Sequence, residues 1–397
     1  MSDRHVIATA EEFEDAVEAL TGGHGPLAVD AERASGYRYS QRAYLIQVFR
    51  RDAGVFLFDP PAIGRMDAFT EALAGEEWVL HAASQDLACL AEVGVVPQRI
   101  FDTELAARLL GLPKVGLGAV VEQTLGITLA KEFSAVDWST RPLPQNWLEY
   151  AALDVELLVD VRDEVHALLV DADKTEIAHE EFDAELHRAP KAPRAEPWRR
   201  LSGIHSVRGA RHLAVARELW QAREELAIER DVSPGRLVPD ASLVAAVKAL
   251  PRTSAELSAL KAFSGRASRS ELERWWKAIQ RGRLTEDLPG PARDRDTLPP
   301  PRSWAEKRPE ADARLRTAKP RVMELAEELV MPAENLLTPD YLRRVSWEPS
   351  GEDTASVAAD LTALGARAWQ IERVAPLIAA AFVEARQNPP VADSTAS

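Results

Sequence analysis

The sequence has a single cysteine, Cys89, in 397 residues. An internal disulfide is thereby excluded, and no Cys/His spacing offers a zinc site, so the fold must hold by packing and suits a reducing compartment. No disulfide-linked partner is expected. Long apolar runs are missing too: none approaches the roughly eighteen residues that a bilayer span needs. The N-terminal stretch carries Glu11, Glu12, Glu14 and Asp15 where a secretory leader would have a basic region and an apolar block. The expectation from these absences is a cytoplasmic protein without a membrane partner.

What is present is an ordinary globular balance, 46% hydrophobic and 28% charged, over a length that suits about two or three domains. The net charge of −15 is unevenly spread, with −18 over 1–193, +8 over 194–283 and −5 over 284–397. Phosphate backbones are bound through local positive charge, so the basic middle third admits a nucleic-acid partner that an even −15 would oppose. Proline clusters in APKAPRAEPW (189–198) and LPGPARDRDTLPPPR (288–302) interrupt regular structure and read as linkers. The tail from Gln387, QNPPVADSTAS, has no periodicity and few large apolar residues, and reads as disordered.

Before residue 185, short apolar runs at 27–31, 43–49, 55–59 and 78–81 read as strands. The first three are too closely spaced for crossover helices and form an antiparallel meander, whereas the later strand–helix alternation adds parallel strands to the same sheet. The first domain is therefore α/β with a mixed sheet. After residue 208 the apolar residues, among them Leu213, Ala216, Leu219 and Trp220, follow a helical period, so the rest is all-α. Glu225-Leu226-Ala227 followed by Leu237-Val238-Pro239-Asp240 is echoed by Glu324-Leu325-Ala326 followed by Leu337-Thr338-Pro339-Asp340, which suggests two related helical domains.

The candidate chemistry is carried by carboxylates. Asp30 and Glu32 end the first strand in LAVDAER and, two residues apart, point to one side. Asp86 starts a helix in HAASQDLACL just after the fourth strand, which as a parallel neighbour would bring it beside that pair. Tyr150 and Asp154, four apart in EYAALDVELL, share one helix face. Acids gathered in one cleft raise each other's pKa unless cations compensate. Magnesium or manganese suits carboxylate oxygens, and two such ions about 3.5–4 Å apart stabilise both the attacking and the leaving oxygen of a phosphoryl displacement. A phosphodiester is the substrate class this chemistry serves.

Asp30-Ala31-Glu32, His81-Ala82-Ala83-Ser84-Gln85-Asp86 and Tyr150-Ala151-Ala152-Leu153-Asp154 resemble the three exonuclease motifs of the DEDD superfamily, and the tyrosine places the likeness in its DEDDy branch. Ser35-Gly36-Tyr37, Leu45-Ile46-Gln47, Phe101-Asp102-Thr103, Asp137-Trp138-Ser139 and Arg141-Pro142-Leu143 match between the motifs. With 208–282, which is similar to an HRDC domain, the whole resembles the ribonuclease D family. The resemblance covers nearly all of 1–185 and continues into that helical segment. It implies a ribonuclease-H-like exonuclease domain over 1–187, a linker over 188–207, an HRDC domain over 208–286, a Pro-rich linker over 287–303, an HRDC-like domain over 304–386 and a disordered tail over 387–397.

The implied activity is 3′→5′ hydrolysis of RNA with an accessible 3′ end, such as tRNA precursors or other structured RNAs, releasing nucleoside 5′-monophosphates. Two divalent ions, magnesium or manganese, would be held by Asp30, Glu32, Asp86 and Asp154. Carried over by position, Asp30 would contact both ions, Glu32 and Asp154 would complete the site that activates water, and Asp86 would support the second ion, partly through water. Tyr150 would orient the attacking water, since a phenol with a pKa near about 10 is better suited to positioning than to proton abstraction. The basic segment would dock RNA by phosphate contacts.

Two other readings stay open: a 3′–5′ DNA exonuclease, because nothing in the motifs separates ribose from deoxyribose, and a scaffold that binds RNA without cutting it. The acidic C-terminal segment could also contact proteins. Gly116-Leu117-Gly118 lacks the third glycine of a dinucleotide fingerprint and reads as a helix start. His81, ending a buried strand, reads as a histidine that satisfies a backbone carbonyl. Trp275 and Trp276 point different ways on one helix, so one packs inward and the other is left to stack on a base.

Overall fold

The computed structural model describes residues 4–129, 133, 135–189, 192–263, 265–290 and 298–387; of the expected tail 387–397, Gln387 closes the last helix, Ala368–Gln387, and the rest lies outside the described residues. Among these, β1 (His24–Arg33), β2 (Ala43–Arg51), β3 (Gly54–Phe58), β4 (Trp78–Leu80) and β5 (Ile100–Asp102) form one sheet in the order β3-β2-β1-β4-β5. The first three pair antiparallel, and β4 and β5 add in parallel on the other side of β1. This is the mixed sheet that the spacing predicts; β5, three residues long, is too short to have shown alternation.

Period-two alternation distributes the strand residues between two cores. Ile46, Val48 and Phe58 face a large cluster containing Phe69, Trp78 and Phe101, roofed by the helix Leu158–Asp171. Leu45 and Leu57 face a smaller one with Trp138 and Leu148, roofed by the helix Gln145–Glu156. Each fully buried large side chain contributes about 1.5–3 kcal/mol. The sheet is thus clamped on both faces, with β1 at its centre.

The rest is helical, and the sequence repeat has a structural counterpart. A long helix Ala210–Arg230, a single turn Pro234–Leu237 and a helix Asp240–Ala249 are matched by Pro309–Glu328, Ala333–Leu336 and Pro339–Trp347. Each long helix packs against the last helix of its unit, Leu272–Leu284 or Ala368–Gln387. The two cores centre on Leu219, Phe263 and Trp275, and on Trp304, Leu336 and Phe382. Residues 188–207, read as a linker, give Trp198, Leu201 and Val207 to the first of these cores. Large apolar side chains there outweigh the loop-forming tendency of the prolines around them. Trp275 is the inward tryptophan, donating its indole N–H to the Ser268 carbonyl at 2.9 Å, and Trp276 lies at the edge of the core.

Both helical units dock on the exonuclease unit. The first holds the loop after β1: Ser233 donates its N–H to the Tyr37 carbonyl at 3.0 Å, Arg236 donates to the Gly36 carbonyl at 2.7 Å, and Asp231 accepts from the Ser40 N–H at 2.8 Å. The second meets the helix Thr175–Leu186, where Glu181 accepts from the Trp369 indole at 2.9 Å and from Arg367 at 2.6 Å. Beside it, the buried Lys174 donates to the carbonyls of Leu109 at 2.7 Å and Val330 at 3.2 Å. Among the described residues no helix is long and apolar enough to cross a membrane.

Candidate active site

Asp30 and Glu32 stand near the end of the central strand, opposite Gln47 and Leu45 of β2. β2 pairs alongside both residues, and β4 holds the other side of β1 just before them at Leu27 and Ala28, so the two carboxylates leave a firm platform with the common direction that their spacing predicts.

Asp86 is placed by the turn that follows β4. Ala82 adopts a left-handed conformation there (φ 64°), and its amide and that of Ala83 are satisfied by the buried Asp102 carboxylate at 3.0 and 2.8 Å. The same side chain caps the helix Thr103–Leu109 by accepting from Glu104 and Leu105 at 2.9 and 3.1 Å. One carboxylate therefore fixes both the turn leading to Asp86 and the next helix. His81 Nδ1 meets the Thr103 hydroxyl at 2.8 Å, while that hydroxyl donates to the Leu80 carbonyl.

Tyr150 and Asp154 project from the helix Gln145–Glu156, whose approach is anchored by Arg141. Its guanidinium donates to both Asp59 oxygens at 2.7 and 2.9 Å, to the Trp138 carbonyl at 2.9 Å and to the Tyr44 carbonyl at 2.7 Å. These bonds tie the segment before the helix to β2 and to the end of β3. Arg38, in the loop after β1, adds a bond to the Ser139 hydroxyl at 2.8 Å.

The three elements converge on a cleft of about 740 Å³ that Asp30, Glu32, Asp86, Tyr150 and Asp154 all line. Carboxylate oxygens of Asp30, Glu32 and Asp154 lie within 4.8 Å of one another; Asp86 shares the cleft and lies outside that group. Crowding and partial burial have the expected electrostatic cost. Burial, then the charges of Asp30, Asp154 and Asp86, push Glu32 up to about 10. Burial and Asp30 push Asp86 to about 8 and Asp154 to about 7, and burial raises Asp30 itself. The Tyr150 phenol is raised by burial and by Asp154 and Glu32, so it stays protonated at neutral pH. A cation among these oxygens would reverse the penalty.

Arg33 also lines the cleft, and the sequence reading passed over it. Alternation from Glu32 turns Arg33 away from the acids. The β1–β2 ladder slips there, however, with Glu32 opposite Leu45 and Arg33 opposite Ala43, and the guanidinium ends 4.0 Å from Asp86. Gly116-Leu117-Gly118 forms the start of the helix Leu117–Leu125 on the facing wall, in agreement with its reading as a helix start.

Comparison with known proteins bears on this arrangement. Residues 4–169 match the family model described as a 3′-5′ exonuclease, 212–279 match the HRDC domain, and 297–382 match a 3′ to 5′ exonuclease C-terminal domain. Ribonuclease D of Jannaschia sp. (strain CCS1) is 32% identical over 264 residues, 64% of this chain and 67% of that protein. The share of a ribonuclease D relative that is matched varies, being 54% for that of Nitrobacter hamburgensis at 32% identity and 78% for that of Shewanella sp. (strain ANA-3) at 27%. The crystal structure of a protein from Bifidobacterium adolescentis, 37% identical, superposes with a TM-score of 0.90 over 96% of this chain and 97% of that one. Escherichia coli RNase D, described as an exoribonuclease involved in structured RNA processing, shares the fold at 24% identity and a TM-score of 0.69, over 98% of this chain and all of that one. A mixed-sheet exonuclease unit with an acidic cleft, followed by an HRDC unit, defines a nuclease that works from chain ends. The chain belongs to the ribonuclease D family of hydrolytic 3′–5′ exoribonucleases.

Proposed function

We propose that this protein shortens structured RNAs, tRNA precursors among them, one nucleotide at a time from the 3′ end, with two divalent ions in the acidic cleft. The observation that carries this reading is the convergence of Asp30, Glu32 and Asp154 oxygens within 4.8 Å. The donor set fits magnesium or manganese: all of it is carboxylate oxygen, and its own repulsion makes it poorly stable without a cation. Asp30, Glu32 and Asp154 would hold one ion, and Asp30 with Asp86 the other. When bound, the ions stabilise charge on the attacking and leaving oxygens.

The chain's own groups do the rest. Tyr150, protonated and on the same helix face as Asp154, orients the attacking water by hydrogen bonding and does not remove its proton. The water oxygen bonds to phosphorus as the bond from phosphorus to the 3′ oxygen breaks. The attacking water gives up a proton to solvent, and the 3′ oxygen keeps the bonding pair and takes up a proton from solvent, leaving RNA one residue shorter with a 3′ hydroxyl and a nucleoside 5′-monophosphate. The +8 segment 194–283 holds the RNA body by phosphate contacts.

The test is a time course on 5′-labelled RNA with a 3′ overhang, beside its DNA counterpart, in magnesium, manganese or EDTA. A metal-dependent ladder receding from the 3′ end of RNA is expected. RNA binding without shortening in either metal would leave a scaffold instead, and equal shortening of DNA would remove the RNA specificity.

A further inference from the structure

Most arginines of the exonuclease unit are committed to tight contacts. Arg141 is saturated by Asp59 and backbone carbonyls, and Arg162 donates to Glu77 at 2.8 Å and Asp163 at 3.0 Å. Arg33 differs. Among the described residues it makes no hydrogen bond, and its one ion pair is the loose 4.0 Å approach to Asp86. It is only partly buried, 27% exposed at the side chain, and faces the cleft. A planar fork of donors therefore lines an acidic site with no hydrogen-bond partner among the described residues.

The backbone is shaped to put it there. The ladder irregularity between Glu32 and Arg33 is the kind that twists a strand locally and re-aims a side chain beside an active site. Without it, Arg33 would follow Ala31 to the other side of the sheet. A guanidinium matches phosphate oxygens two at a time, and a phosphodiester entering a cleft lined by carboxylates needs positive partners.

We infer that Arg33 is a substrate-binding residue of the reaction, an inference that rests on the function proposed above. Its guanidinium donates to the non-bridging oxygens of the scissile phosphate, stabilises the charge that grows there as water attacks, and stays with that phosphate on the departing 5′-monophosphate. The bland account of the same geometry is a counter-ion that merely offsets the carboxylates. The two differ once metal is present. A counter-ion becomes redundant, whereas a phosphate contact is needed most.

The experiment compares Arg33→Met and Arg33→Lys with the unaltered chain at saturating magnesium. Trimming of 5′-labelled RNA is followed and, separately, so is calorimetric binding of adenosine 5′-monophosphate, with adenosine as the uncharged control. Arg33→Met is expected to lower kcat about 100-fold and to weaken monophosphate binding about tenfold, with adenosine binding unchanged and partial recovery in Arg33→Lys. Unchanged kcat and unchanged monophosphate affinity, with only the magnesium requirement altered, would make Arg33 a counter-ion and overturn the inference. Failure of the unaltered chain to trim RNA would overturn the function reading instead, and the binding comparison would still report on Arg33.

Discussion

The guanidinium of Arg236 lies 3.9 Å from the centre of the Tyr37 ring, so a helical-unit residue grips the loop leaving the strand that bears Asp30 and Glu32. The same loop lends Ser35 to the cleft, whose described lining residues all fall between Asp30 and Leu158. A dinucleotide occupying the cleft would not reach the helical unit. Arg236→Ala should nevertheless slow dinucleotide hydrolysis a few-fold, since a cation–π contact of this exposure contributes on the order of 0.5–1 kcal/mol. Normal dinucleotide turnover with a raised KM for long RNA would reduce the unit's role to holding RNA.

Metal removal should act on stability with a definite sign. Glu32, Asp86 and Asp154 have folded-state values of about 10, 8 and 7, above ordinary values of 4.5 for glutamate and 3.8 for aspartate. The unfolded chain therefore ionises them first. Stability without metal is fully present below about pH 4 and is lost as pH rises through 7 to 10. Melting in EDTA should fall across that window, and the gain in Tm from magnesium should grow with it. A magnesium effect that shrinks from pH 6 to pH 9 would contradict the shared-cation reading.

Asp30→Asn removes the charge common to the raised values of Glu32, Asp86 and Asp154. Cleavage should fall below detection while the melting temperature in EDTA holds or rises and its pH slope flattens. Appreciable residual turnover would sink the two-ion mechanism.

For Tyr150→Phe, the ring and its edge-on contact with Phe133, 5.9 Å between centroids, have room to persist. Single-turnover cleavage should slow roughly 10–100-fold, the range associated with losing a positioned hydrogen bond, with RNA affinity unchanged. If affinity drops while cleavage holds, the hydroxyl contacts substrate and does not orient water.

Asp102 satisfies four backbone amides, so Asp102→Ala should destabilise the fold by on the order of 2–4 kcal/mol through the lost cap and two stranded buried donors. Urea unfolding measures this. Asp102→Asn, which keeps one acceptor oxygen, should cost less.

The features legible in the sequence were those with local periodicity. β1 to β4 could be read because their apolar runs alternate or cluster, and Asp30, Glu32, Tyr150 and Asp154 because strand and helix spacing fix which residues share a side. Arg33 was hidden by the same rule, because one ladder slip reverses the side it predicts. The burial of Trp198 was masked by surrounding prolines, and β5 by its brevity. Nothing local in Tyr37 or Arg236, about 200 positions apart, could reveal that they meet.

The seam between the exonuclease unit and the C-terminal helices bears on how the molecule comes apart. Ile177 packs into the cores of both, and Glu181 and Lys174 take their partners across the junction. Loss of one side would bare apolar surface on the other and cancel bonds belonging to both. The two should therefore melt in a single cooperative step, and the catalytic unit draws part of its heat resistance from residues more than 300 positions along the chain, Val330 and Trp369 among them.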